Sequence, residues 1–282
     1  SGMITEQSES KGIMMIKPHS CRYVSSPGNG LKNIEKERIR FIVKRKFRKA
    51  TGRHYLGPIW LVLDPLIFSL IYLFVFTVLR ARIEPSSIFI GVTLYHVLSS
   101  SLLQGFDAVP DLNGGLNCER VSTKVLIKSS LIHRFLDISL ATIPTSLILV
   151  FGFKISIIGG FSYIIISQFL GFMFFGLGLV VSPVVTKISD LKALIKYVLR
   201  LGFYASPTMI PMHKMSGIHF QINEYNPFSY FVELSRHYSG LQSKFTELNF
   251  GLCISIFIIM STLTIVGIMR IDNLRWRMTT WS

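Results

Sequence analysis

The chain has 282 residues, half of them hydrophobic and only 16% charged, yet it carries a formal net charge of +15. A mean hydropathy of +0.48 excludes a disordered chain and an ordinary soluble domain. So basic a protein could bind nucleic acid, but long apolar runs make the charge a topological signal instead, and no nucleic-acid partner is expected.

The first 28 residues are polar, with Ser, Pro and Gly, and lack an apolar h-region, so no signal peptide is expected. Ser1-Gly2 ahead of Met3 reads as an expression scar, and residues 1–29 read as a flexible tail. Residues 30–55 hold a dense basic block. Within it Ile39, Ile42, Val43 and Phe47 recur at helical spacing. That predicts an amphipathic helix along the inner membrane surface. A plain lipid-binding and stop-transfer patch is the alternative reading. Gly52 and Gly57-Pro58 separate the block from the first apolar span.

Residues 56–282 hold six apolar segments, at about 57–79, 88–106, 131–153, 157–185, 193–211 and 249–269. About 20 helical residues at ~1.5 Å each cover the ~30 Å of a bilayer core. The expected fold is therefore an all-α integral membrane protein with six transmembrane helices. An N-terminal interface helix precedes them, and a short outer helical segment lies between spans five and six. Residues 107–128 are polar, with Pro110 and Gly114-Gly115, and read either as a cytoplasmic docking element or as a solvated loop. Residues 212–248 form the outer segment. There Asn226-Pro227 marks a helix start and Gly240 its stop. Phe228, Phe231, Val232 and Tyr238 would share one side of that helix, and Glu233 can pair with Arg236.

Charge sets the orientation. Thirteen of the 30 Lys and Arg lie before residue 58, and further groups flank the second-to-third and fourth-to-fifth connections and the C-terminal tail. The opposite side keeps only Arg80, Arg82, Lys154, Lys214, Arg236 and Lys244. Both termini are expected inside, in a multi-pass protein.

Polar groups inside spans carry the functional clues. Asp64 lies one and a half turns into the first span and should face protein or water, as a packing contact or a pathway residue. Asp137 has Arg134 three residues earlier and reads as a local ion pair near the interface. Trp60, Asp64, Phe68, Tyr72 and Phe76 form a ridge. Steps of four drift by ~40° each, so Asp64, Phe68 and Tyr72 share a face but all five do not. Aromatic faces suit stacking against the apolar faces of sugars, and they equally suit packing. Tyr95, Phe203 and Tyr204 carry the same two readings. Cys21, Cys118 and Cys253 have no disulfide or zinc spacing. The seven His are scattered, so no metal site is expected. No P-loop, HExxH or GxSxG is present, so neither catalytic residues nor a bound ATP are expected in this chain.

Three motifs in order carry a resemblance. LGPIWLVLDPLIFSLIYLFVF (56–76) resembles the LGxxWxxLxP start of the permease subunits of ATP-binding-cassette exporters of bacterial polysaccharides, through Leu56, Gly57, Trp60, Leu63 and Pro65. Asp64 stands where many relatives carry Asn or Glu. DLKALIKYVLRLGFYASPTMIPM (190–212) resembles that family's aspartate-led fifth span, and NPFSYFVELSR (226–236) its outer helix. The resemblance covers most of the chain from residue 31. It implies the membrane subunit of a capsule, O-antigen or teichoic-acid exporter in the bacterial cytoplasmic membrane. It further implies a homodimer with two cytoplasmic ATPase subunits, which hold the ATP and Mg, and a lipid-linked glycan passing between the two permeases. On this resemblance Asp64, Phe68, Tyr72, Tyr95, Phe203 and Tyr204 would lie along the substrate path. Phe41, Lys44, Arg45, Phe47, Asp111, Asn113, Glu119 and Arg120 would touch the ATPase. An exporter of a drug or small lipid, or a membrane-bound glycan transferase, are the alternatives.

Overall fold

The computed structural model describes residues 29–51, 59–78, 83–113, 123–245 and 250–278. Among these it has nine α-helices and no strand: α1 Asn29–Thr51, α2 Ile59–Val78, α3 Pro85–Asn113, α4 Thr123–Leu147, α5 Ile157–Lys187, α6 Ser189–Ala205, α7 Gly217–Glu224, α8 Pro227–Tyr238 and α9 Phe250–Met278. The tail, Gly57-Pro58 and the tip of the 107–128 segment lie outside the described residues. Pro85–Asp107, Ile127–Gly152 and Ile157–Lys187 are long and apolar enough to cross a bilayer, and Val62–Val75 and Ile254–Gly267 are shorter apolar stretches.

Two helix bounds differ from the sequence expectation. The 107–128 segment is helical at both ends, because α3 continues to Asn113 and α4 begins at Thr123. The fifth apolar segment stops at Ala205 rather than 211. Ser206 is already extended, at ψ 166°, because the ring of Pro207 disfavours the helical region for the residue before it. With Asp190, Lys192, Lys196 and Arg200 among its 17 residues, α6 is amphipathic rather than uniformly apolar.

The core is built on α3 and α5. Ile90, Val92, Leu94 and Leu170 are fully buried there. Lipid tails are as apolar as Leu, so membrane helices need close packing and hydrogen bonds to associate. Both are present. A Cβ on Gly178 would lie 2.5 Å from the Leu102 carbonyl oxygen and 2.7 Å from the Gly105 Cα, so the two helices cross backbone to backbone at these glycines. Nearby, Tyr163 donates to Thr93 Oγ1 at 2.9 Å and Ser182 donates to the Phe106 carbonyl at 2.7 Å.

Helix α8 follows its local signals. The Asn226 side chain accepts from the Phe228 N–H at 3.1 Å, and Pro227 occupies the first position. Asn226→Ala is expected to lower stability by about 1 kcal/mol, read by thermal unfolding in detergent. At the far end Gly240 has φ 75°. Its N–H bonds the His237 carbonyl, and the Leu241 N–H bonds that of Arg236, both at 3.0 Å. This pair of bonds closes the helix in a Schellman motif that needs a left-handed residue. Phe228, Phe231 and Val232 are buried, but Tyr238, expected on the same side, is half exposed.

Candidate functional site

The face of α2 carrying Phe68 and Tyr72 meets α3 and α6 around a cavity of about 270 Å³. Its walls are Phe68 and Tyr72 from α2, Tyr95, His96, Ser99 and Leu103 from α3, and Lys196, Leu199, Arg200, Phe203 and Tyr204 from α6. Five of the six expected pathway residues therefore line one space. Phe203 is the hub: its ring centre lies 4.9 Å from that of Tyr72, 5.2 Å from Tyr95, 5.3 Å from Tyr204 and 5.7 Å from Phe68. The Tyr72 and Tyr204 hydroxyls face each other at 3.4 Å.

Burial divides the two readings of these aromatics. Phe203 and Tyr95 are buried, and Tyr95 donates to the Leu199 carbonyl on α6. They pack α3 against α6. Phe68 is 37% exposed and Tyr204 59%, while Tyr72 is half-buried. These three keep ring area open to the cavity, so only they are free to stack on a ligand.

Asp64 is not in this cavity. Its Oδ2 lies 3.2 Å from His96 Nε2, across 32 residues of sequence. Together they edge a second, smaller space of about 170 Å³, with Trp60, Ser100, Gln104, Arg134 and Asp137 also in its wall. His96 lines both spaces, so it is the partition between them.

Arg134 forms the expected local ion pair with Asp137, and the pair is buried. Arg134 is 1% exposed, and its Nη1 donates to Asp137 Oδ2 at 2.6 Å. Its Nη2 donates to the Val97 carbonyl at 3.1 Å, to Ser100 Oγ at 3.0 Å and to Ser101 Oγ. Gln104 Nε2 completes the carboxylate at 2.8 Å. A charge this buried needs a counter-charge and hydrogen-bond partners; of the Arg134 donors, Nε has no partner among the described residues. The group is a polar clasp between α3 and α4.

The N-terminal helix rests on α4. Ile42 and Val43 are buried, the Phe47 ring centre lies 4.7 Å from that of His133, and Lys46 Nζ donates to Ser130 Oγ at 2.7 Å. Phe41 is 66% exposed, and Lys44 and Arg45 are exposed as well. Of the residues expected at the ATPase, Phe47 is thus drawn into packing and Phe41, Lys44 and Arg45 stay open. Asp111 and Asn113 fall in the last turn of α3, and Glu119 and Arg120 lie outside the described residues.

A second clasp holds α8. Glu233 and Arg236 on α8 are both fully buried and meet at 2.8 Å. Arg236 Nη2 donates to the carbonyls of Ser87 at 3.1 Å and Thr208 at 3.2 Å, while Glu233 accepts from the Met212 N–H at 3.3 Å and the Lys244 N–H at 2.9 Å. Burial pushes the neighbouring His213 imidazole below its ordinary range, against the attraction of Glu233. It is therefore neutral near pH 7 and adds no charge beside Arg236.

Sequence reasoning missed His96, Lys196 and Arg200 as cavity residues. For His96 no local signal exists. For the cations one did: Lys192, Lys196 and Arg200 step by four along an apolar segment, which puts them near one face of the helix. Among the described residues no three His, Cys, Asp or Glu side chains gather as a metal site would need.

The sequence profile of the family described as ABC-2 type transporter matches residues 37–239, well over half of the chain, and spans the helices of the aromatic cavity and of both clasps. No match to a curated protein was found. On that match, the chain belongs to the ABC-2 type transporters, multi-pass membrane subunits of ABC exporters whose ATPase is a separate subunit.

Proposed function

We propose that the chain is the membrane half of an exporter of a lipid-linked polysaccharide, of the O-antigen, capsule or teichoic-acid kind, in the bacterial cytoplasmic membrane. Two copies would pair, each with six spans and both termini in the cytoplasm, above two ATPase subunits that hold ATP and Mg. The observation that carries this reading is the open ring area of Phe68, Tyr72 and Tyr204 around one cavity. Sugars present apolar C–H faces that stack on such rings, while their hydroxyls need nothing stronger than the tyrosine hydroxyls nearby. The exposed Phe41, Lys44 and Arg45 on α1 support an ATPase contact on the same helix that braces α4. Closure of the ATPase pair on ATP would then reach the spans through α1 and α4.

The test is reconstitution with the candidate ATPase. ATP-dependent export of lipid-linked glycan is expected, and Phe68→Ala or Tyr72→Ala should lower it about tenfold, the loss of one or two stacking contacts. An ATPase that neither co-purifies nor couples would sink the exporter reading. Unchanged glycan export in the aromatic variants would remove these rings from the path. ATP-driven movement of a drug or small lipid in place of glycan would change the cargo. Glycan transfer by the isolated chain without ATP, lost in Asp64→Asn or Asp137→Asn, would make it a transferase.

A further inference from the structure

The cavity is chemically two-ended. Phe68, Tyr72, Phe203 and Tyr204 make an aromatic end, and Lys196 and Arg200 enter the wall about one helical turn apart, on the Ser189 side of Phe203 and Tyr204 along α6. Among the described residues no carboxylate lines the cavity. The third cation of the row, Lys192, is neutralised by Asp107 at 2.5 Å. Lys196 and Arg200 have no such partner among the described residues. Both side chains are exposed, so their charges are open to an anion at the cavity wall. An ammonium and a guanidinium one turn apart match a phosphate or diphosphate, the guanidinium through its two-pronged donors. The rings beside them suit the sugar or isoprenoid that such a group links.

We infer that Lys196 and Arg200 form an anion subsite for the phosphate or diphosphate of a lipid-linked cargo, whose neighbouring sugar or first isoprene unit lies against Phe68, Tyr72 and Tyr204. This rests on the export reading above. At about 270 Å³ the cavity is smaller than a typical drug-sized site, so it holds the head of the cargo and not its length.

The full chain in neutral phosphatidylcholine nanodiscs should bind radiolabelled farnesyl diphosphate at least about tenfold tighter than farnesol. Lys196→Gln and Arg200→Gln should each weaken binding about tenfold, as expected for one charged hydrogen-bonding partner, and the double variant about a hundredfold. Arg200→Lys should retain most of the affinity. Lys192→Gln, whose cation is already paired, should bind as the unaltered chain does. Elution volume and thermal unfolding unchanged in the glutamine variants separate lost binding from lost folding. Equal affinity for farnesol, or full affinity in the double variant, overturns the subsite and leaves cations that reach the lipid headgroups instead. Inorganic diphosphate binding as tightly as the farnesyl compound overturns the lipid-linked assignment. Displacement by phosphatidylglycerol at matching concentrations makes the site a bilayer-headgroup seat and overturns the cargo. The two readings fail separately. Full glycan export by the double variant removes the subsite and keeps the exporter. Absent export by the unaltered chain, with charge-dependent diphosphate binding intact, does the reverse.

Discussion

Glu233→Ala is expected to lower folding stability by about 3–5 kcal/mol, the cost of leaving one member of a buried ion pair uncompensated. Glu233 and Arg236 are both 0% exposed, so water cannot take over the role of the lost carboxylate without opening the packing around α8. The same substitution strips acceptors from the Met212 and Lys244 N–H groups, and each buried donor left unmet adds to the loss. Arg236 would keep only the Ser87 and Thr208 carbonyls, which hydrogen-bond the guanidinium but do not neutralise it. The double variant Glu233→Met, Arg236→Met should be less damaging than Glu233→Ala alone, because it removes both charges together. Equilibrium unfolding in mixed micelles, arranged as a double-mutant cycle, measures the coupling. A Glu233→Ala loss below about 1 kcal/mol, within the range of an exposed pair, would mean that the Glu233–Arg236 clasp is hydrated.

The second large effect belongs to the α3–α5 crossing. Gly178→Ala is expected to cost about 1–3 kcal/mol, and Gly178→Leu more, through overpacking. The added Cβ would meet the Leu102 carbonyl oxygen at 2.5 Å and the Gly105 Cα at 2.7 Å. Both are backbone atoms, so no rotamer change relieves the clash and the helices must separate. Separation would also stretch the Ser182 to Phe106 hydrogen bond and turn the α3 face carrying Tyr95, His96 and Ser99 away from α6. Gly152→Ala is the control, because its Cβ meets only the Ile148 side chain at 3.6 Å. The midpoint of thermal unfolding in detergent reads both. Equal midpoints for Gly178→Ala and Gly152→Ala would contradict a backbone-to-backbone crossing.

Features written in neighbouring residues are legible from the chain alone. The helix from Pro227 to Tyr238 begins and ends where Asn226-Pro227 and Gly240 say, because capping and left-handed backbone depend on a few consecutive residues. The pairs Arg134–Asp137 and Glu233–Arg236 are readable as three-residue spacings, but their burial and their partners on α3 are not. The overshoot of the fifth apolar segment comes from following hydropathy past Ser206-Pro207, where backbone sterics end the helix. Asp64 shows the opposite limit, since nothing near it in sequence names His96.

The sequence by itself determined the membrane character, the main helices, the local caps and the short-range ion pairs. All of these follow from hydropathy, helical period and the conformations of single residues. Only the tertiary structure decided which aromatics are spent on packing, as Tyr95 and Phe203 are, and which keep ring area open, as Phe68, Tyr72 and Tyr204 do. It alone placed Lys196 and Arg200 against those rings. A cavity is the gap left by three helices, and its lining depends on how each is rotated about its axis. That rotation is set by long-range contacts such as Gly105 on Gly178 and Arg236 on Ser87, which no local pattern in the chain encodes.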